Sequence, residues 1–300
     1  MKPIFSILLT ALLSVVVTTA QATEKPVLTI YTYDAFAADW GPAPKIKLAF
    51  EANCGCQLDF VAMDSSIGIL RKIQLEGANT KADIALGLDT NLTDVAAKTG
   101  LFAPHGANVD GLDLPVAWDD KTFLPFDYGY FAFVYNSEKV KAAPTSFDAL
   151  AALPDDFKIV IQDPRSSTPG LGLLLWIKEI YGDKASDLWQ RLAPKILTVS
   201  KGWSDAYGLF LKGEADMVLS YTTSPAYHLI AEQDARFKSA AFSEGHYMQV
   251  EVAAVVKSTK QPALARRFMQ FMLSGGFQKV IPTTNWMYPA ANTAGALPKG

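Results

Sequence analysis

Hydrophobic and polar positions along this chain switch repeatedly between a two-residue and a helical period. "VLTIYTY" (27–33) predicts a strand and "APKIKLAFEAN" (43–53) an amphipathic helix. "QLDFVAM" (57–63) predicts the next strand, and "IGILRKIQLEG" (67–77) a helix closed by glycine. "ADIALGL" (82–88) and "LTDVAAKTG" (92–100) repeat the unit. This βαβαβα order predicts a parallel α/β sheet.

A loop-like segment rich in Pro, Gly and Asp follows at 101–125. "FDYGYFAFVYN" (126–136) is an aromatic strand. Strands at "KIVIQD" (158–163), "ILTVS" and "DMVLSY" (216–221) then alternate with helices at "GLGLLLWIKEIYG" (170–182), "ASDLWQRLAPK", "DAYGLFLKG" and "PAYHLIAEQ". "YMQVEVAAVVK" (247–257) is a second long strand, and "PALARRFMQFML" and "GGFQKVI" two last helices. Strands 128–136 and 247–255 are candidate crossovers. The expected division is 23–125 plus 242–300 for a first α/β lobe and 126–241 for a second. Ligands of open α/β sheets bind beyond the carboxyl ends of the strands, so the cleft between the lobes is the expected site.

The first 22 residues stand apart. "MKPIFSILLTALLSVVVTTAQA" joins one lysine, an apolar run and a small-residue A-x-A end, the pattern of a secretory signal cleaved after Ala22. No later segment has about 18 unbroken apolar residues. Removing Lys2 leaves 26 basic against 30 acidic residues, net −4. With no long basic run, nucleic acid and anionic membrane are poor partners. The length suffices for two cores. Export places Cys54 and Cys56, in "ANCGCQL", in an oxidising compartment. They form a local disulfide at a helix end or stay as two unpaired thiols; a reactive thiol is the functional alternative.

Chemistry-bearing residues gather at element ends. In "QDPRSSTPGLGLLLW" the expected N-cap is Thr168, with Pro169 at the first helical position; Ser166, Ser167 and Thr168 bring three hydroxyls where one would cap. Free N–H groups there suit an anion or polar group. Trp203 lies at a strand-to-helix turn. Tyr221 and Tyr227 bracket the hydroxyl-rich "YTTSPAY", Trp286 sits in a loop beside Asn285, and Tyr33 ends the first strand beside Asp34. Core aromatics belong mid-element, as Trp176 and Phe210 do. Aromatics at strand tips with few Lys or Arg among them point to a flat, cationic ligand. His105, His228 and His246 have no ligand spacing, and nucleotide, metal and nucleophile-elbow motifs are absent; no cofactor or metal is expected.

"PVLTIYTYDAFAADWGP", "GLDTNL", "TGLF", "PFDYGYFAFVYN", "QDPRSSTPGLGLLLW", "KGWSDAYGLFLKGEADMVLSYTTSPAYH", "FSEGHYMQVEVAA" and "IPTTNWMYP" together resemble, in order, the periplasmic thiamine-binding proteins of bacterial ABC importers. The resemblance implies a two-lobed periplasmic binding protein of type II, and a monomer that hands thiamine or its mono- and diphosphate to a membrane permease. It implies ligand contacts at Ser167, Thr168, Trp203, Tyr221, Thr222, Thr223, Ser224, Tyr227 and Trp286, with Tyr33 beside them. Tyr221 and Tyr227 would flank the ligand's rings, and the hydroxyls between them would bond its polar groups. Two features depart from the family. Ser65-Ser66 stands where the family has Asp-Gly, whose aspartate contacts the ligand. Asp34 is the expected substitute charge, and weaker or less pH-sensitive binding is expected. The chain also stops at "GALPKG" where family members continue, a truncation expected to weaken lobe packing more than the pocket. The alternatives are a thiaminase-like enzyme with a cysteine nucleophile, or a binder of another cationic solute.

Overall fold

The computed structural model describes residues 24–299, so the expected signal segment lies outside the described residues. The chain builds a mixed sheet in which one strand serves both halves. In chain order the strands are β1 (Val27–Tyr33), β2 (Gln57–Met63), β3 (Ile84–Asp89), β4 (Phe102–Ala103), β5 (Phe123–Asn136), β6 (Ile159–Gln162), β7 (Ile196–Ser200), β8 (Met217–Tyr221), β9 (Phe237–Ser239), β10 (Met248–Val256) and β11 (Tyr288–Pro289).

The order is β2-β1-β3-β10-β5-β8-β6-β7. β1 is parallel to β2 and β3, in register Val27↔Gln57 to Tyr33↔Met63 with β2. β10 runs antiparallel between β3 and the first part of β5, where Met248 faces Tyr130. From Phe131, which faces Tyr221, β5 changes partner to β8 and, further on, β9. β6 is parallel to β7 and β8. Two α/β lobes therefore meet along β5. β10 lies wholly within the first sheet, so its role as a crossover falls to the segment that leads into it, where Phe131 N–H donates to the Tyr247 carbonyl.

Each sheet is sandwiched between apolar layers. Ile30, Phe36, Ile46, Phe126, Phe268 and Phe277 pack on one face of the first sheet, and Tyr31, Ile69, Leu88 and Val252 on the other. Phe133, Phe147, Trp176 and Leu219 form the main core of the second. Trp176 and Phe210 are buried core residues, as expected. Each of these aromatics removes 150–250 Å² from water, so the cores supply most of the driving force.

Strands β1 and β2 have the expected bounds. Elsewhere the differences are local. β5 begins at Phe123, taking Pro125 into the strand, and the last predicted helix divides into Gly275–Gln278 and Ile281–Thr284, with Pro282 in the first turn of the second. The helix expected from 170 begins at Thr168, and its N-cap is Ser167, one residue earlier than predicted. The Thr168 hydroxyl does not cap; it donates to Asp89 Oδ2 at 2.7 Å. Cys54 and Cys56 are disulfide-bonded, with Cα atoms 5.1 Å apart, at the end of the helix Ala43–Cys54. No helix among the described residues is long and apolar enough to cross a membrane.

Candidate functional site

The parallel strands β1, β2, β3, β6 and β7, together with β8, bring their carboxyl ends to one place. A cavity of about 530 Å³ lies there between the sheets. From the first sheet come Tyr33 and Asp34 at the end of β1, Ser65 and Ser66 after β2, and Trp286 from the loop before β11. From the second come Ser167 and Thr168 after β6, Trp203 after β7, and Tyr221, Ser224 and Tyr227 after β8. Eleven of the thirteen expected residues thus line one cavity.

Thr222 and Thr223 do not. The backbone turns inward between Tyr221 and the helix Ser224–Ala231: Thr222 N–H donates to the Tyr130 carbonyl, and Thr223 Oγ1 is buried without a partner among the described residues. Ser166 also faces elsewhere, donating to the Lys201 carbonyl. Ser224, which lines the cavity, also helps hold a ring in place through Ser220. Trp203 Nε1–H donates to Ser220 Oγ at 2.8 Å, and Ser220 is 2.7 Å from Ser224 Oγ. Behind Trp203 a column of rings continues through Tyr207 (4.9 Å between centroids, 22° between planes), His228 and Phe237. Trp203 is therefore locked by stacking on one side and a hydrogen bond at its edge. His228 is fully buried, between Tyr207 OH and Glu232.

Two helices of eleven and fourteen residues, Ser66–Glu76 and Thr168–Tyr181, start at the cavity, one from each lobe. Ser65 Oγ caps the first by accepting from Gly68 N–H. The second sits close on β6 because residue 170 is glycine; a Cβ there would lie 2.3 Å from the Gln162 carbonyl oxygen.

Several contacts among the described residues cross the cleft. Thr168 on one side meets Asp89 on the other. Lys201 pairs with Asp64. Tyr227 meets the Trp286 ring edge-on, 5.4 Å between centroids and 71° between planes. Trp286 holds a left-handed backbone, φ 55°, a conformation unfavourable for a bulky residue and sustained by Trp286 N–H donating to the Ile281 carbonyl.

Sequence reasoning missed the acidic floor. Tyr33 OH donates to Glu251 Oε2 at 2.8 Å, and Asn285 Nδ2–H₂ donates to Tyr33 OH at 2.9 Å and to Asp127 Oδ2 at 2.6 Å. Burial pushes the Glu251 carboxyl up to about 7 and holds Asp127, with Glu251 beside it, well above the usual carboxylate range. The same burial and the neighbouring acids hold the Tyr33 and Tyr221 phenols well above theirs. Trp40, Tyr207 and Asp64 complete the walls. A signal for the floor was present in the sequence, a single acid inside each of two long, mostly apolar strands. Asp34 stands at the rim, where desolvation, with Asp64 and Asp205 adding to it, raises its carboxyl.

The model of the family described as bacterial extracellular solute-binding protein matches residues 26–279. The chain is 57% identical over 282 residues to the thiamine-binding periplasmic protein of Escherichia coli K12, covering 94% of this chain and 86% of that one. A solved periplasmic thiamin binding protein superposes with a TM-score of 0.90 at 58% identity, over 92% of this chain and 86% of the other. The periplasmic binding protein AfuA from Actinobacillus pleuropneumoniae, with fructose-6-phosphate bound, superposes at 0.79 over 92% and 88% of the chains; at 21% identity that likeness concerns the fold alone. A type II two-lobed architecture, a cleft at the strand ends and these matches lead to one conclusion: the chain belongs to the bacterial extracellular solute-binding protein family.

Proposed function

We propose that this protein is the substrate-binding subunit of an ABC importer, that it captures thiamine in the periplasm as a monomer, and that it delivers it to a membrane permease. The observation that carries the reading is the lining of the cleft. Seven aromatic side chains and three carboxylates face it, with no Lys, Arg or His among the lining residues. A thiazolium ring is a fixed cation with two faces, and such a wall attracts it through ring quadrupoles and charge. The relatives named as thiamine-binding proteins support the same ligand.

Thiamine mono- and diphosphate belong to the proposal. Its support is the pair of helix starts at Ser66 and Thr168, whose free N–H groups suit phosphate oxygens. In this reading the lobes comprise 23–125 plus 242–300 and 126–241, and they close by bending where β5 changes partner. The role is non-catalytic. A thiaminase-like reaction needs a free thiol in the cleft, and both cysteines are bonded to each other and outside its lining.

Calorimetric titration of the mature protein, unfolded and refolded to remove carried-over ligand, tests the reading. The expected result is a one-to-one isotherm with thiamine at micromolar affinity or tighter. Trp203→Ala and Trp286→Ala should each weaken it about tenfold, the equivalent of about 1.4 kcal/mol of stacking and cation–π attraction. No heat from a folded sample overturns it.

A further inference from the structure

Behind Glu251, which lines the cleft, lie two further acids that do not reach it. Asp89, Glu251 and Asp127 face one another across three adjacent strands, with Glu251 opposite Asp89 on β3 and opposite Asp127 on β5. Asp89 and Asp127 are fully buried, and Glu251 is 6% exposed while lining the cavity. Asp89 is satisfied locally by the Thr168 hydroxyl and Asn91 N–H. Asp127 and Glu251 are not. Asp127 Oδ1 has no donor among the described residues, and Glu251 receives only Tyr33 OH, Gln249 Nε2–H₂ and a long contact from Asn285.

The surrounding elements supply no positive charge. β1 contributes Tyr33, β3 Asp89, β8 Tyr221, β10 Gln249 and the loop before β11 Asn285. Among the described residues no Lys, Arg or His pairs with any of the three acids. Two adjoining, largely buried carboxylates with no paired cation resist ionising together, and the orphan Asp127 Oδ1 is satisfied when one of the pair carries a proton toward the other. A bound proton thus offsets charge in the place where a ligand cation would otherwise serve.

We propose that Glu251, paired with Asp127, is the countercharge for the cationic ring of the ligand, and that the pair releases one proton to solvent when the cation docks. The inference rests on the cationic-ligand reading above. The balance is simple: a carboxyl O–H bond breaks, its proton goes to the buffer, and the carboxylate left behind faces the ligand's positive ring. Net charge in the cleft is unchanged, so burial of the ion is not opposed by an uncompensated charge. A neutral solute of the same shape gains nothing from the pair, which makes Glu251 a determinant of charge selectivity.

Linkage fixes the sign. Burial holds Glu251 at about 7, and a cation beside it lowers that value. Proton release should approach one per thiamine at pH 6 and fall to about a tenth at pH 8, with affinity about tenfold weaker at pH 6 than at pH 8. The experiment is calorimetry with thiamine at both pH values, each in two buffers of contrasting ionisation enthalpy. It is repeated with the uncharged analogue whose ring carries carbon in place of the quaternary nitrogen. Buffer-dependent heat with thiamine, none with the analogue, and loss of the dependence in Glu251→Gln and Asp127→Asn support the proposal. Thiamine binding with the same heat in both buffers and a pH-independent Kd overturns it while leaving the ligand reading intact. No thiamine binding at either pH overturns both. The buffer comparison needs only the unmodified chain, so the proposal stays testable if a variant fails to fold.

Discussion

Gly87 holds φ at +99°, and a Cβ placed there would stand 2.4 Å from Cδ1 and 2.6 Å from Cε1 of Tyr33. Gly87→Ala therefore acts twice. The backbone term is about 1–3 kcal/mol, because an L side chain is poorly tolerated at that φ. The steric term pushes the Tyr33 ring off its seat and loses its bonds to Glu251 and Asn285, about 1.5 and about 1 kcal/mol. The sum is about 4 kcal/mol. For cooperative units of this size each kcal/mol moves Tm by about 2–4 °C, so melting should fall by about 10 °C. The assay is a ligand-free thermal melt of four proteins: parent, Gly87→Ala, Tyr33→Ala and the double variant. If the methyl acts through the ring, the two changes are strongly less than additive, since Tyr33→Ala empties the space the methyl needs. A melt within about 2 °C of the parent, or strict additivity, refutes the reasoning.

Other consequences can be checked alongside. The Cys54–Cys56 ring closes across one residue, so its entropic contribution is small, about 1.5 kcal/mol; Cys54→Ser with Cys56→Ser should lower Tm by only a few degrees and leave ligand titration unchanged. Thr168→Val removes a buried bond to Asp89 that spans the lobes and should weaken ligand affinity at least tenfold. Lys201→Ala removes an ion pair whose side chains are 62% and 70% exposed, and should change affinity less than about threefold at physiological salt; equal effects of the two would refute this ranking. Ser65→Asp with Ser66→Gly should tighten thiamine binding, and no gain in a titration would mean that the serine pair costs the site nothing.

The sequence made the site legible where the signal was local. An aromatic at the last position of a strand, such as Tyr33 or Tyr221, is placed by chain order alone at the carboxyl end of the sheet, where one face can meet a ligand while the other packs on the core. The α/β alternation likewise shows in windows of seven to twelve residues. What was not legible depends on pairing. Asp127 and Glu251 lie 124 positions apart and become neighbours only through the antiparallel register of β5 with β10. Asp64 reads as a bystander to Ser65 until Lys201 arrives from the other lobe. The one-residue error at Thr168 has a similar origin: its hydroxyl matched a cap, yet a buried carboxylate from β3 takes it. Thr222 and Thr223 were expected from the family resemblance, and they are absent from the cavity lining that their neighbours Tyr221 and Ser224 share.

β10 fills the slot between β3 and β5, and it is made of residues 248–256, more than a hundred positions after either of them begins. That position sets an order of assembly. Until β10 is present, β3 has an unpaired edge, the leading part of β5 has no partner toward β3, and Glu251 is missing from the floor. The second lobe, built from one continuous stretch, needs no such wait beyond its own segments. The lobe whose sequence comes first should then be the last to fold, limited by closure of a very long loop. A chain arrested before residue 248 would hold one finished half and one half with an open, aggregation-prone strand edge.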